Sequence, residues 1–315
     1  MSFSFDTKKE LCKRKIDSKI EALLELSALS RMNAAVRFRG SQVSISFSSE
    51  NREVIARVTD LARALYGVEL SIASRKNAQL RQAPLYSTVL SGEVVDRFLS
   101  QSALNEFGAY TQPKERIFGR LQSQENGCAF LRGAFLGGGS IVDPSKSYHL
   151  EIVTPHVQDV WLLHRILEKN GIRASEMERK GVCVVYIKDS EAIADFLVAI
   201  GATGAMLRLE DVKAMKDLRN DINRRVNAET ANMDKSISAS FRQIEAIQVI
   251  CRTIGIEQLP ENLAELCYIR LKNPDSNLRE LGAMLSPPIG KSGVNHRMQR
   301  ILKIAEENST ERTTS

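Results

Sequence analysis

Two hydrophobic rhythms alternate along this chain, and they do so twice in the same order. VSISF (43–47) alternates as a half-buried strand does, with Gly40 in the turn before it. SSENREVIARVTDLARALYG (48–67) places Val54, Val58, Leu61 and Leu65 on one helical face, begins with polar cap candidates and ends on Gly67. The pattern predicts a helix around 8–33, a hairpin (35–39 and 42–48), a helix over 51–66, strands at 68–74 and 84–91, and a helix over 93–106. From about residue 128 the order returns: helix 128–138, strands near 140–142 and 148–154, helix 155–169, strands 172–178 and 182–188, helix 190–200. Leu26 and Leu131, in the two first helices, are 105 residues apart, and so are the second-helix starts at 50 and 155. A constant offset of this kind marks a duplication. The expectation is an α+β fold: two α-β-β-α-β-β-α halves, about 1–110 and 125–200, forming one pseudo-two-fold domain over 1–200.

The rhythm changes after that domain. Residues 201–236 are rich in Asn, Asp and Arg, with Leu209, Val212, Met215 and Leu218 at helical intervals, and read as a linker helix followed by a polar joint at 227–236. From 237 to 308 the pattern is wholly helical (237–254, 260–272, 276–285 and 291–307), and 309–315 is a polar tail expected to be disordered. Two lobes joined by a linker follow from this reading.

Within the second lobe, NLRELGAMLSPPIGKSGVNHRMQRILKIA (277–305) has the layout of a helix-turn-helix. Ser276 or Asn277 can cap a first helix carrying Leu278, Leu281 and Leu285. Ser286-Pro287-Pro288 stops it, since proline lacks the N–H and disfavours a helical predecessor. In the second helix Val294, Met298, Ile301 and Ala305 form the buried stripe. Lys291, Ser292, Asn295, His296, Arg297, Arg300 and Lys303 remain as candidate contacts to double-stranded DNA. Polar groups near such a helix's start can reach base edges while its cations neutralise phosphates. An ordinary amphipathic hairpin with a solvated face is the alternative.

Charge sharpens this picture. The chain carries a net +6, and residues 270–303 hold seven basic and two acidic residues. Basic ends around a neutral middle are an electrostatic footprint for nucleic acid. The run KKELCKRK (8–15) can touch DNA or form a solvated helix end. No apolar run approaches the roughly 18 residues of a membrane span. The first residues lack a secretory h-region. Five scattered cysteines without a CxxC pair suggest a reduced compartment and no zinc framework. A cytoplasmic, nucleoid-associated protein is expected, with no membrane, metal or cofactor, and a monomer is compatible with the sequence.

LSALSRMNA (26–34) and LRGAFLGGG (131–139) occupy equivalent places in the two halves. They look like the two copies of the LAGLIDADG motif of homing endonucleases, whose helices pack side by side along the pseudo-two-fold. Gly133, Gly137 and, less completely, Ala28 supply the small residues that such a contact needs. The resemblance implies a metal-holding acid at the motif's eighth position, but Asn33 and Gly138 stand there and neither offers a carboxylate. Asp143 reads as a turn residue rather than a substitute. Cleavage is therefore not expected, and no catalytic residue is assigned.

Taken whole, the chain resembles the WhiA family of Gram-positive bacterial regulators. FLRGAFLGGGSIVDPSKSYHLEI (130–152), MKDLRNDINRRVNAETANMDKS (215–236) and LGAMLSPPIGKSGVNHR (281–297) carry the resemblance. It implies a degenerate LAGLIDADG-like domain joined to a helix-turn-helix unit, similar to the promoter-reading region of sigma factors. The implied biology is transcription control, cell division, chromosome segregation and, in sporulating relatives, sporulation. A non-catalytic, sequence-specific DNA binder is the leading expectation. The alternatives are an adapter for another transcription or division protein and a metal-dependent endonuclease. Of the remaining residues, His149, His156 and His164 read as ordinary histidines, Glu151 and Asp159 as surface carboxylates, and Trp161 as core.

Overall fold

The computed structural model describes residues 2–40, 42–76, 84–102, 119–121 and 123–310. Its chain divides into two compact units, Met1–Lys216 and Asp217–Ser315.

The first unit begins with α1 (Phe3–Cys12) and α2 (Lys19–Asn33). These replace the single helix expected over 8–33, because Ser18 restarts the helix as an N-cap that accepts from the Glu21 amide. Then follow β1 (Ala35–Arg39), β2 (Gln42–Ser49), α3 (Arg52–Tyr66), β3 (Ala73–Lys76), β4 (Pro84–Ser91) and α4 (Glu93–Ser102). The second half repeats them as α5 (Gln124–Gly138), β5 (Gly139–Ile141), β6 (Leu150–Thr154), α6 (Val157–Lys169), β7 (Ser175–Arg179), β8 (Val182–Ile187) and α7 (Ser190–Ile200). Both sheets are antiparallel with the same strand order, β1-β2-β4-β3 and β5-β6-β8-β7. Identical order in both halves is the structural form of the duplication, and the fold is α+β. The core lies between sheets and helices: Ile45, Phe47 and Leu90 from the first sheet, Leu150, Ile152 and Ile187 from the second.

At the centre, α2 and α5 lie against each other too closely for ordinary side chains. A Cβ placed on Gly133 would stand 2.0 Å from the Glu25 carbonyl oxygen, and one on Gly137 2.9 Å from that of Leu29. Ala28, fully buried, shares the α2 stripe with Glu25, Leu29 and Met32. Beside the glycines sits a buried charge cluster. Both Glu25 carboxylate oxygens accept from Arg57 of α3 (2.7 and 2.9 Å), and one also accepts from Arg132 Nε of α5 at 2.8 Å. A second cross-link joins Arg31 of α2 to Asp159 of α6, which also accepts from Thr154. Asp159 is thus buried rather than superficial, with its charge answered by Arg31. Trp161 also departs from expectation: it is 49% exposed, because α6 turns Leu162, Leu163 and Ile166 to the core instead.

The basic run near the start is put to structural use. Lys8 Nζ donates to the Leu136 carbonyl near the α5 C-terminus, and burial pulls its ammonium down to about 8. Glu10 accepts from the Gly204 amide. That amide opens α8 (Thr203–Thr253), a single 51-residue helix. The joint expected at 227–236 is helical, because no glycine or proline interrupts the chain between Gly204 and Gly255 and most residues there are competent helix formers.

The second unit continues with a short 3-10 turn at Ile256–Gln258, α9 (Glu261–Lys272), α10 (Leu278–Ala283) and α11 (Lys291–Thr310). Ile247, Ile250, Leu263, Leu266, Leu281, Val294, Met298 and Ile301 form its core.

Gly133→Ala is expected to destabilise the chain by about 3 kcal/mol, the upper end of overpacking costs, with a lower urea midpoint and unchanged m-value. Lys8 gives a pH signature. Its folded pKa lies below the unfolded value of 10.5, so between about pH 8 and 10.5 the unfolded chain binds more protons. Stability relative to a Lys8→Met variant should therefore rise with pH across that window, as read by denaturation at several pH values.

Candidate nucleic-acid interface

The α10–turn–α11 region is built from the cap inward. Asn277 accepts from the amides of Arg279 and Glu280, while Glu280 accepts from the Asn277 amide, closing a capping box at the start of α10. Of the two cap candidates, Asn277 is the one used. The turn is drawn tight by the Ile289 amide, which donates to the Gly282 carbonyl at 3.0 Å. A Cβ on Gly282 would lie 2.2 Å from the Ile289 carbonyl oxygen, so glycine is what permits this closeness. The Ser286 amide donates to Glu265 of α9, anchoring the proline turn.

Upstream, Arg270 is 2% exposed and donates from Nε and one terminal nitrogen to the Gln243 side-chain oxygen of α8, at 2.9 and 2.7 Å. Its other terminal nitrogen donates to the Ser276 carbonyl at 2.6 Å. Burial lowers its pKa from the ordinary value. One arginine therefore fixes the loop entering α10 to the long helix. Composition counts Arg270 among the basic residues of this end, but it faces inward and contributes no surface charge.

α11 turns Val294, Met298, Ile301 and Ala305 inward. Lys291, Ser292, Asn295, His296, Arg300 and Lys303 are exposed. Arg297 differs: it is half-buried and donates to the Asn262 carbonyl in α9 at 3.3 Å. Over its first four turns this helix presents only neutral or basic side chains, and its acids, Glu306 and Glu307, come after Lys303.

The other candidate chemistry lies at the C-terminal ends of the motif helices. Asn33 donates from its side-chain nitrogen to the Gly137 carbonyl at 3.1 Å, so it fastens α2 to α5. Gly138 approaches β6: a Cβ there would meet the Val153 carbonyl oxygen at 2.2 Å and Met32 Cβ at 3.2 Å. Both positions that the motif would give to acids serve packing. Asp143 accepts from the Ser145 hydroxyl and amide, which hold its carboxyl below the ordinary range in an exposed turn. The three histidines are dispersed: His149 beside Glu151 (3.4 Å), His164 beside Glu176 (3.2 Å), and His156 before α6. Glu151 is half-buried and accepts from Ser140. Among the described residues no three His, Cys, Asp or Glu side chains cluster as metal ligands, and no helix is long and apolar enough to cross a membrane.

Gly138→Asp should give no Mg²⁺- or Mn²⁺-dependent nicking of plasmid DNA, and should lower the urea midpoint, since the new side chain collides with the β6 backbone. Metal-dependent nicking by a stably folded variant would contradict this reading of the position.

Comparison with known proteins agrees with both units. Three family models match consecutive stretches: the WhiA N-terminal LAGLIDADG-like domain over residues 19–104, the WhiA LAGLIDADG-like domain over 127–219, and the WhiA C-terminal HTH domain over 222–305. A Clostridium botulinum (strain Hall) protein named "Probable cell division protein WhiA" is 39% identical over 314 residues, covering 98% of both chains. A Clostridium perfringens (strain 13) protein of the same name is 39% identical over 310 residues, again covering 98% of each. The crystal structure of full-length WhiA from Thermatoga maritima matches with a TM-score of 0.62 and 28% identity, over 98% of this chain and 99% of that one. With full-length relatives at this identity and all three family domains in order, the chain belongs to the WhiA family.

Proposed function

We propose that this chain is a sequence-specific DNA-binding protein without nuclease activity, acting in transcription control tied to cell division, with chromosome segregation and sporulation as related settings. The observation that carries the reading is the exposed face of α11. Ser292, Asn295, His296, Arg300 and Lys303 stand together on a helix whose opposite stripe is locked into the core. Arg can pair with both guanine acceptors and Asn with adenine, while Lys and Ser suit phosphates. Arg297, tied to Asn262, is suited to a positioning contact. The name of the Clostridium relatives supports the link to division. Absence of nuclease action is supported by Asn33 and Gly138, which offer no carboxylate and are engaged in helix contacts.

A second reading, recruitment of a protein partner, is favoured by one observation. Leu218, Ile222, Val226, Met233 and Ile237 are all exposed at helical spacing along α8, and contiguous apolar surface marks interaction sites.

The test is selection of duplexes by the full-length chain from a random pool, followed by affinity measurement. Arg300→Ala should weaken the selected site by about 1–3 kcal/mol and relax preference at one base pair, whereas Lys303→Ala should reduce the salt slope by about one with preference retained. A full-length chain that enriches no sequence, or an Arg300→Ala variant with wild-type affinity and preference, would overturn the assignment.

A further inference from the structure

Every residue of α8 from 217 to 238 is exposed. At 1.5 Å per residue this stretch is a rod of about 33 Å. Leu218, Ile222, Val226, Met233 and Ile237 on it are between 48% and 63% exposed. At about 100° per residue these five, with Glu229 among them, fall within roughly 100° of the helix circumference. That is the width of stripe a helix ordinarily buries. Helices in proteins draw most of their stability from packing such a stripe, yet among the described residues of the chain none covers this one.

The charges beside the stripe select its partner. Residues 218–226 hold Arg219, Arg224 and Arg225 against Asp221, whereas residues 227–237 hold Glu229 and Asp234 against Lys235. A cationic half followed by an anionic half complements a second copy of itself only when the two helices run in opposite directions. One antiparallel register sets Leu218 against the partner's Ile237, Ile222 against the partner's Met233, and Val226 against the partner's Glu229. The same register brings Arg225 within one residue's rise of the partner's Glu229 along one flank. Along the other flank Arg219 comes within two residues' rise of the partner's Asp234, and two-fold symmetry repeats both pairs. Among the described residues no ion pair within the chain holds Arg219, Arg225, Glu229 or Asp234. A parallel pair in register would instead press Glu229 against its own copy in the seam. We infer that α8 is a self-association element, through which two copies of this chain pair their Leu218–Ile237 stretches antiparallel. The inference rests on the reading of that stripe as an interaction surface, and names a second copy as what it binds. One helix from each copy gives less than the roughly 800 Å² per partner of stable complexes, so pairing is reversible and rises with concentration. An assembly so formed carries two copies of α11.

The experiment is sedimentation of the full-length chain, without DNA, across about 1–100 μM. Wild type should pass from monomer to dimer over that range. Arg225→Glu and Glu229→Arg each turn two attractive contacts into repulsive ones, and each alone should weaken association by about tenfold or more. Mixed in equal amounts, the two variants should form a mixed dimer of nearly wild-type strength, because each supplies the charge that the other's flank lacks. A purely structural role for Arg225 or Glu229 within one helix would not be restored by mixing. A wild type that stays monomeric, or a mixture that associates no better than its components, overturns the choice of a second copy. The broader reading of the stripe as an interaction surface falls separately, if Ile222→Ser/Met233→Ser still restores normal division to cells lacking the chain.

Discussion

Two helices meeting backbone to backbone set the terms for the rest of the first unit. α2 and α5 approach so closely at Gly133 and Gly137 that any larger residue would intrude on a carbonyl of the partner helix. Such closeness brings the two halves into one core, but it also leaves little room for the polar groups caught at the seam. Glu25 resolves this by accepting from arginines of α3 and α5 at once. A buried carboxylate between two guanidiniums gives no assurance of net stability, since desolvation of all three groups opposes their attraction. What it does impose is geometry: one carboxylate is shared by guanidiniums from two other helices, so α2, α3 and α5 must meet at Glu25. The Arg31–Asp159 pair extends the same constraint to α6.

The ends of the motif helices inherit that closeness. Where a metal site would need two carboxylates facing open space, the chain has an amide donating across the seam and a glycine pressed against β6. The residues there belong to the helix contact. In the second unit Gly282 performs a similar service on a smaller scale, letting the turn fold back on α10 so that α11 can bury one stripe and expose the other.

Much of this was legible in the sequence, for physical reasons that differ between elements. Period-two alternation in 43–47 and helical spacing in 54–65 report directly on which side of an element meets the core, and the constant offset between halves doubles the signal. The glycines at 133 and 137 announce a close approach because nothing else on a helix face requires missing bulk four residues apart. What escaped was long-range pairing. Nothing local distinguishes Asp159, buried against Arg31, from a surface carboxylate. Nor does spacing reveal that Trp161 lies on the exposed side of α6, since Val157 and Trp161 recur at the same interval as a core stripe. The polar composition of 227–236 suggested a joint, whereas the absence of any helix breaker from 205 to 254 decided for a continuous helix. On α11 the outward residues could be named but the tether from Arg297 to Asn262 could not, because it depends on where α9 passes.

Both halves of the first unit lie on one polypeptide, encoded separately although folded alike. In a symmetric dimer of single halves, each substitution would appear on both sheets, and a gain on one would be tied to its effect on the other. Fusion lifts that restriction: the first strand of one sheet carries Arg37 and Arg39, while that of its twin carries Ser140 opposite Glu151. Symmetry persists in the backbone, where packing requires it, and lapses on the surface, where selection can address each copy alone.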